Sequence, residues 1–228
     1  MSAVSRTAMA ALLVSALGTP AAYAGRPMVV DDAAIVGAGN CQLESWMQDN
    51  PNSREYWAVP ACNVGGNLEV AFGGARITGA QGGYIAGVVQ GKTLFKPLER
   101  NGWGTGLVFG NQFSRATGVV GDLYVSAPIS FSFQDDRLLV HANLGWLREK
   151  NAARDVATWG VGAETRLSKR TTLTSETFGQ QRGKTFVQLG LKHWLVIDRV
   201  QLDATYGNRV GGRPERFVSL GAVLFTAN

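Results

Sequence analysis

Ala157-Thr158-Trp159-Gly160-Val161-Gly162-Ala163-Glu164-Thr165-Arg166-Leu167 sets Ala157, Trp159, Val161, Ala163, Thr165 and Leu167 against Thr158, Gly160, Gly162, Glu164 and Arg166. Side chains repeat every two residues only on an extended strand, so this segment has two unlike faces. The same period continues outward on both sides. Leu138, Val140, Ala142, Leu144 and Trp146 interleave with Leu139, His141, Asn143, Gly145 and Leu147. Val200, Leu202, Ala204 and Tyr206 interleave with Gln201, Asp203, Thr205 and Gly207. Leu123, Val125, Ala127, Ile129, Phe131 and Phe133 form another such row, as do Trp103, Thr105, Leu107 and Phe109, and Leu68, Val70 and Phe72. Most of these runs are longer than the roughly 5–6 residues of soluble strands. They suit the roughly 9–11 residues a membrane-crossing strand needs.

Counting along the chain predicts about twelve strands, at 41–48, 55–63, 66–77, 83–95, 102–113, 119–133, 137–148, 155–167, 171–180, 184–196, 198–208 and 216–226. Turn residues fall between them, among them Asn50-Pro51-Asn52, Gln134-Asp135-Asp136 and Gly211-Gly212-Arg213-Pro214. The expected fold is all-β, a transmembrane antiparallel up-and-down β-barrel, with short turns on one side and somewhat longer loops on the other. Trp46, Trp57, Trp103, Trp146, Trp159 and Trp194 lie near strand ends, where a barrel carries its interfacial aromatic girdle. Pro128 is awkward, because it sits mid-strand where a ladder hydrogen bond belongs. A soluble barrel also alternates, but its outward face carries more charge. Here only 17% of residues are charged, and the polar face is rich in Gly, Ser, Thr and Asn.

Forty-five per cent hydrophobic residues and this low charge exclude a disordered chain. The net charge of +5 is too modest to argue for nucleic acid. Arg6, then the uncharged Thr7–Gly18, then Ala22-Tyr23-Ala24 follow the order of a secretory signal peptide. The organisation expected is therefore a leader over 1–24, an N-terminal periplasmic or plug segment over 25–40, and a barrel over 41–228. That places the protein in the outer membrane of a Gram-negative bacterium. Its partners would be outer-membrane lipids, the barrel-assembly machinery and a small-molecule solute.

If the turn at Pro51-Asn52 closes the first hairpin, Cys41 faces Cys62 and Trp46 faces Trp57 in one register. Opposed Cβ atoms are close enough for a disulfide, and an oxidising periplasm would let it form. No CxxC spacing suggests a metal site.

The segment Gly25-Arg26-Pro27-Met28-Val29-Val30-Asp31-Asp32-Ala33, with Gly37, Gly39 and Gln42-Leu43-Glu44, resembles the opening of outer-membrane proteins of the meta-pathway phenol-degradation family. The residues carrying the likeness are Arg26, Pro27, Asp31, Asp32, Gln42, Leu43 and Glu44. The resemblance implies a bacterial outer-membrane barrel of transporter type that helps hydrophobic compounds cross. Cys41 lies inside the motif as a departure, and Phe225 is followed by Thr226-Ala227-Asn228 where such barrels often end in an aromatic residue.

No catalytic, cofactor-binding or metal-ligating set emerges. A lipid-modifying barrel enzyme would need a serine or aspartate within reach of His141, and neither histidine has a serine at i+2. Ser126 or Ser130 could approach His141 only from a neighbouring strand. Parity assigns Glu69, Asp122, Tyr124, His141, Asn143, Glu164, Arg166, Lys192, Arg199 and Asp203 to the lumen, together with Tyr84, Gln90, Lys92, Gln188 and Gln201. Acids and bases are mixed there, and a twelve-stranded lumen is narrow. The function expected is a channel-like or transporter-like barrel for small, including hydrophobic, molecules. The alternatives are a non-transporting structural or surface-interaction barrel and an outer-membrane lipid-modifying enzyme.

Overall fold

The computed structural model describes residues 26–79, 82–181 and 183–226. The expected leader at 1–24 lies outside them. Twelve antiparallel strands among the described residues close into one barrel. They are β1 (Cys41–Asp49), β2 (Ser53–Asn63), β3 (Leu68–Gly79), β4 (Gly82–Lys96), β5 (Trp103–Ser114) and β6 (Gly118–Phe133), followed by β7 (Leu138–Glu149), β8 (Arg154–Arg166), β9 (Thr171–Gln180), β10 (Thr185–Val196), β11 (Val200–Val210) and β12 (Phe217–Phe225). Each strand pairs with its sequence neighbour. β1 and β12 close the ring, from Gln42 opposite Phe225 to Asp49 opposite Val218. Closure leaves no exposed edge, which matters for a strand surrounded by lipid.

The first hairpin has the expected register. Cys41 opposes Cys62, Trp46 opposes Trp57, and a disulfide joins the two cysteines. Asn50 sets the turn by donating its amide to the Ser53 carbonyl at 2.8 Å and its side chain to Glu55 at 3.0 Å. At the opposite rim, Gln134, Asp135 and Asp136 are three successive left-handed residues, with φ of 53°, 57° and 61°. Such a run is costly for non-glycine residues. Asn101 holds it from the neighbouring turn, accepting the Asp135 amide and donating to the Asp135 carboxylate.

Both rims carry short turns, unlike the expected asymmetry. One rim has 50–52, 115–117, 150–153 and 211–216; the other has 64–67, 97–102, 134–137, 167–170 and 197–199. Strand ends lie within two residues of those expected, with β2 starting two residues earlier at Ser53 and β4 extended by one residue at each end, to Gly82 and Lys96. Pro128 is accommodated because proline breaks a ladder on one side only. It stays paired with Asn143 of β7, while the β5–β6 register skips from Thr105–Ile129 to Val108–Ser126. Pro60 does the same, paired with Leu43 while the β2–β3 register skips from Ala58–Gly74 to Ala61–Ala71.

The outward rows are apolar and bare: Leu144 is 73% exposed, Phe72 64% and Leu189 60%. Outward ion pairs sit at the rims, Asp49–Arg54 and Arg148–Asp155 at one and Arg100–Asp135 at the other. The expected tryptophan girdle needs correction. Trp103 and Trp146 lie outward, but Trp46 and Trp57 face the lumen, stacked with ring centroids 5.4 Å apart. Their cross-strand register puts both indoles on the inward face of the hairpin.

A strapped lumen as the candidate functional site

Residues 26–36 run inside the barrel as an irregular strap. A segment without a strand partner must satisfy its backbone in some other way. Here side chains of the wall do it. Glu176 on β9 accepts the amides of Val29 at 2.9 Å and Val30 at 2.8 Å. Asn143 on β7 clamps Asp31 twice, accepting its amide at 2.6 Å and donating to its carbonyl at 2.8 Å. Ser130 on β6 accepts the Ala33 amide at 2.8 Å, Glu69 on β3 accepts that of Val36 at 2.9 Å, and Gln188 on β10 donates to the Pro27 carbonyl at 2.8 Å. Shape completes the fit: a side chain at Gly160 or Gly162 of β8 would run into Val30 and Met28.

Charge fixes the strap at its middle and at its start. Lys92 on β4, 2% exposed, donates to Asp31 at 2.7 Å and Asp32 at 2.8 Å. Burial pushes the Asp32 carboxyl up, but the Lys92 ammonium, helped by His141 and Lys192, more than offsets this and holds it below the usual aspartate value. At its start Arg26 pairs with Asp203 on β11 at 3.0 Å, donates to Ser219 on β12 at 2.6 Å and lies 4.5 Å over the Trp46 ring. Lys192 on β10 pairs with Glu164 on β8 at 2.6 Å, completing a charge network across the wall.

The residues that parity assigned to the lumen have unequal positions. Glu69, His141, Lys192 and Asp203 are buried within the network, and Asn143 and Glu164 line it. Tyr124 donates to Gln90 at 2.9 Å higher in the lumen. Asp122 accepts the Lys150 amide at the rim. Arg166 stands exposed at the end of β8. Arg199 is not in the lumen: it lies exposed in the turn 197–199, where left-handed Asp198 breaks the alternation that parity counting assumed. Glu176, a principal holder of the strap, was missed because Thr171–Gln180 is polar on both faces and parity had nothing to sort.

Ser130 Oγ lies 2.8 Å from His141 Nδ1, and His141 Nε2 lies 3.7 Å from Glu164 Oε1. Neighbouring-strand pairing thus brings together the residue types of a hydrolytic trio. Ser130 is fully buried, however, and its oxygen already accepts the Ala33 amide. A substrate cannot reach it while the strap is seated.

Open space remains on both sides of the strap. A chamber of about 390 Å³ lies between it and the β1–β4 wall, lined by Glu44, Trp46, Trp57 and Glu69 among others. A larger one, about 870 Å³, opens toward the rim carrying the turn 150–153. Its lining mixes Val29, Val30, Val108, Phe178 and Phe186 with the polar Gln90, Tyr124, Asn143 and Thr158, and includes the cations Arg154, Lys184 and Arg209. These three cations are already paired, Arg154 with Glu149 and the other two with Glu215.

The family model for "Uncharacterised conserved protein UCP029691" matches residues 11–225. The chain belongs to that family. No curated protein matches it in sequence. Among solved structures, the barrel is similar to the KdgM porin, with a TM-score of 0.67, 8% identity, and 82% of this chain covering 99% of that one. The NanC porin gives 0.63 at 10% identity, with coverage of 82% and 100%. The COG4313 outer membrane channel from Pseudomonas putida F1 gives 0.59 at 10% identity, with coverage of 86% and 98%. At such identities the likeness is one of fold.

Proposed function

We propose that the protein is exported behind a leader cleaved after Ala24 and inserts into the outer membrane of a Gram-negative bacterium. There it passes small solutes with an apolar body through a lumen closed by a displaceable strap. The bare apolar belt between rim ion pairs supports the location. The observation that carries the channel reading is the way the strap is held. Side-chain acceptors and ion pairs, not ladder bonds, fix it, so it can leave without opening the wall.

The chamber of about 870 Å³ supports this solute class. Val29, Val30, Val108, Phe178 and Phe186 give its lining an apolar share, and its three cations meet two acids, Arg154 paired with Glu149 while Lys184 and Arg209 share Glu215, which leaves a single net positive charge. One neighbour is described as the KdgM porin in complex with disordered oligogalacturonate, a polyanion. The paired mouth here favours a compact apolar or aromatic solute over a polyanion. The likeness of residues 25–44 to the meta-pathway phenol-degradation family supports the same class.

The test is conductance and liposome uptake of the purified barrel against a variant lacking 26–36. Deletion should raise conductance and admit a monoaromatic solute faster than a sugar acid of similar size. If the deleted barrel still conducts nothing, the second reading takes over, a structural barrel sealed by its wall network.

A further inference from the structure

Charge is sparse on the lipid-facing rows of the strands. Asp49 meets Arg54 there and Arg148 meets Asp155, but Arg76 on β3 makes no ion pair or hydrogen bond among the described residues. Its row carries the exposed Leu68, Val70 and Phe72, while Glu69, Ala71 and Ala75 on the alternate row are buried, so Arg76 belongs to the outward face. A lone cation on that face is costly in hydrocarbon, and the cost fades only near the headgroups. Arg76 lies three residues inside the strand end at Gly79, roughly 10 Å along the strand. From there a long side chain can snorkel to the rim.

The register gives it companions. Arg76 opposes Tyr56, and Thr78 opposes Arg54, across β2 and β3. Arg54 and Arg76 are thus diagonal neighbours on one face, about 7–8 Å apart at the backbone. Arg54 donates to Asp49 through Nε at 3.0 Å, and a guanidinium has further N–H donors beyond that one. Two guanidiniums against the single Asp49 carboxylate leave a net positive charge beside the half-exposed Tyr56 ring. On the belt side of the pair the outward residues shrink to Ala58 and Gly74, which oppose each other and leave a shallow bed on the wall. The patch lies at the rim of the turn 50–52. Cys41 and Phe225, the two ends of the wall, lie at the opposite rim, which faces the periplasm in a chain exported from that side. Arg54 and Arg76 therefore stand at the outer leaflet.

We infer that Arg54 and Arg76 form a seat for a phosphate of the outer-leaflet glycolipid, lipid A, with one of its acyl chains lying over Ala58 and Gly74. Phosphate oxygens accept the paired N–H groups that a guanidinium presents. The phosphate charge supplies the counter-ion that Arg76 lacks, and the acyl chain covers wall that bulkier neighbours leave bare. The inference rests on the outer-membrane location proposed above but not on transport.

The experiment is titration of the delipidated, detergent-purified barrel with lipid A, with bound lipid counted by native mass spectrometry. Each variant is compared in a preparation that keeps the heat-dependent mobility of a folded barrel. Arg76→Gln should weaken lipid A retention about tenfold or more, and Arg54→Gln should weaken it in the same direction. Arg148→Gln, on the same rim but away from the patch, should leave it unchanged. Dephosphorylated lipid A should bind the wild type as weakly as intact lipid A binds Arg76→Gln, a comparison that needs no variant to fold. Equal retention by the wild type and the Arg54→Gln, Arg76→Gln double variant would overturn the inference. So would indifference to the phosphate, or equal retention of phosphatidylglycerol. Any of these in a barrel recovered from the outer membrane sinks this inference alone, whereas phosphate-dependent binding in a barrel that never conducts keeps it and sinks the channel reading.

Discussion

Replacing Lys92 with Met should open the lumen. Lys92 is 2% exposed and donates to Asp31 and Asp32, 2.7 and 2.8 Å away. Methionine fills the space of the stem but leaves two carboxylates facing an apolar tip. Removing one partner of a buried ion pair costs about 3–5 kcal/mol. Asp31 is 28% exposed at its side chain, so the lower end of that range applies. The barrel itself need not bear this cost, because both acids belong to the strap and regain water when it leaves. The penalty therefore falls on the seated state alone. At 1.4 kcal/mol per tenfold, 3 kcal/mol shifts the seated-to-released equilibrium by roughly two orders of magnitude. Single-channel recording in planar bilayers reads the released fraction directly, and limited proteolysis of the strap reads it independently. Adding Asp31→Asn and Asp32→Asn to Lys92→Met should recover much of the closure, since neutral amides can be buried without the lost cation. The reasoning is refuted if Lys92→Met conducts like wild type with its strap equally protected.

Gly162→Leu pushes a side chain into the space held by Met28 and should also displace the strap, raising conductance while the heat-dependent mobility of the barrel persists. Normal closure in that variant would refute the packing argument. Replacing both Cys41 and Cys62 with Ser removes a crosslink across 21 positions. It should lower unfolding stability by about 3 kcal/mol on the chain-entropy scale; a denaturant midpoint unchanged from the oxidised wild type would contradict this. The hold that Asp32 has on Lys92 should yield to acid only late. Asp32 has a lowered value when seated, so its contribution is complete above the ordinary aspartate value of about 3.9 and is lost as pH falls below it. Conductance scanned from pH 7 to 3 should therefore show no Asp32-dependent opening above about pH 4, and Asp32→Asn should abolish the acid step.

Strand number, strand order and the first hairpin could all be read from the chain, because each depends on neighbours. Period-two alternation marks a strand from within, and Asn50-Pro51-Asn52 fixes the register that joins Cys41 to Cys62. Apolar rows also decided which face meets lipid wherever the opposite face was polar. They failed in Thr171–Gln180, where neither face is apolar enough to declare itself, and so concealed Glu176. They failed at Trp46 and Trp57 as well, since a bulky aromatic suits either a membrane girdle or a lumen stack.

The tertiary structure alone decided what fills the barrel. Arg26 meets Ser219 across 193 positions, Val29 meets Glu176 across 147 and Asp31 meets Asn143 across 112. The strap has no period of its own, so no local pattern announces where its amides go. Ser130 comes beside His141 only because β6 and β7 pair in one register. Local alternation determines a wall; the occupant of the lumen is set by contacts that exist only after the ring has closed.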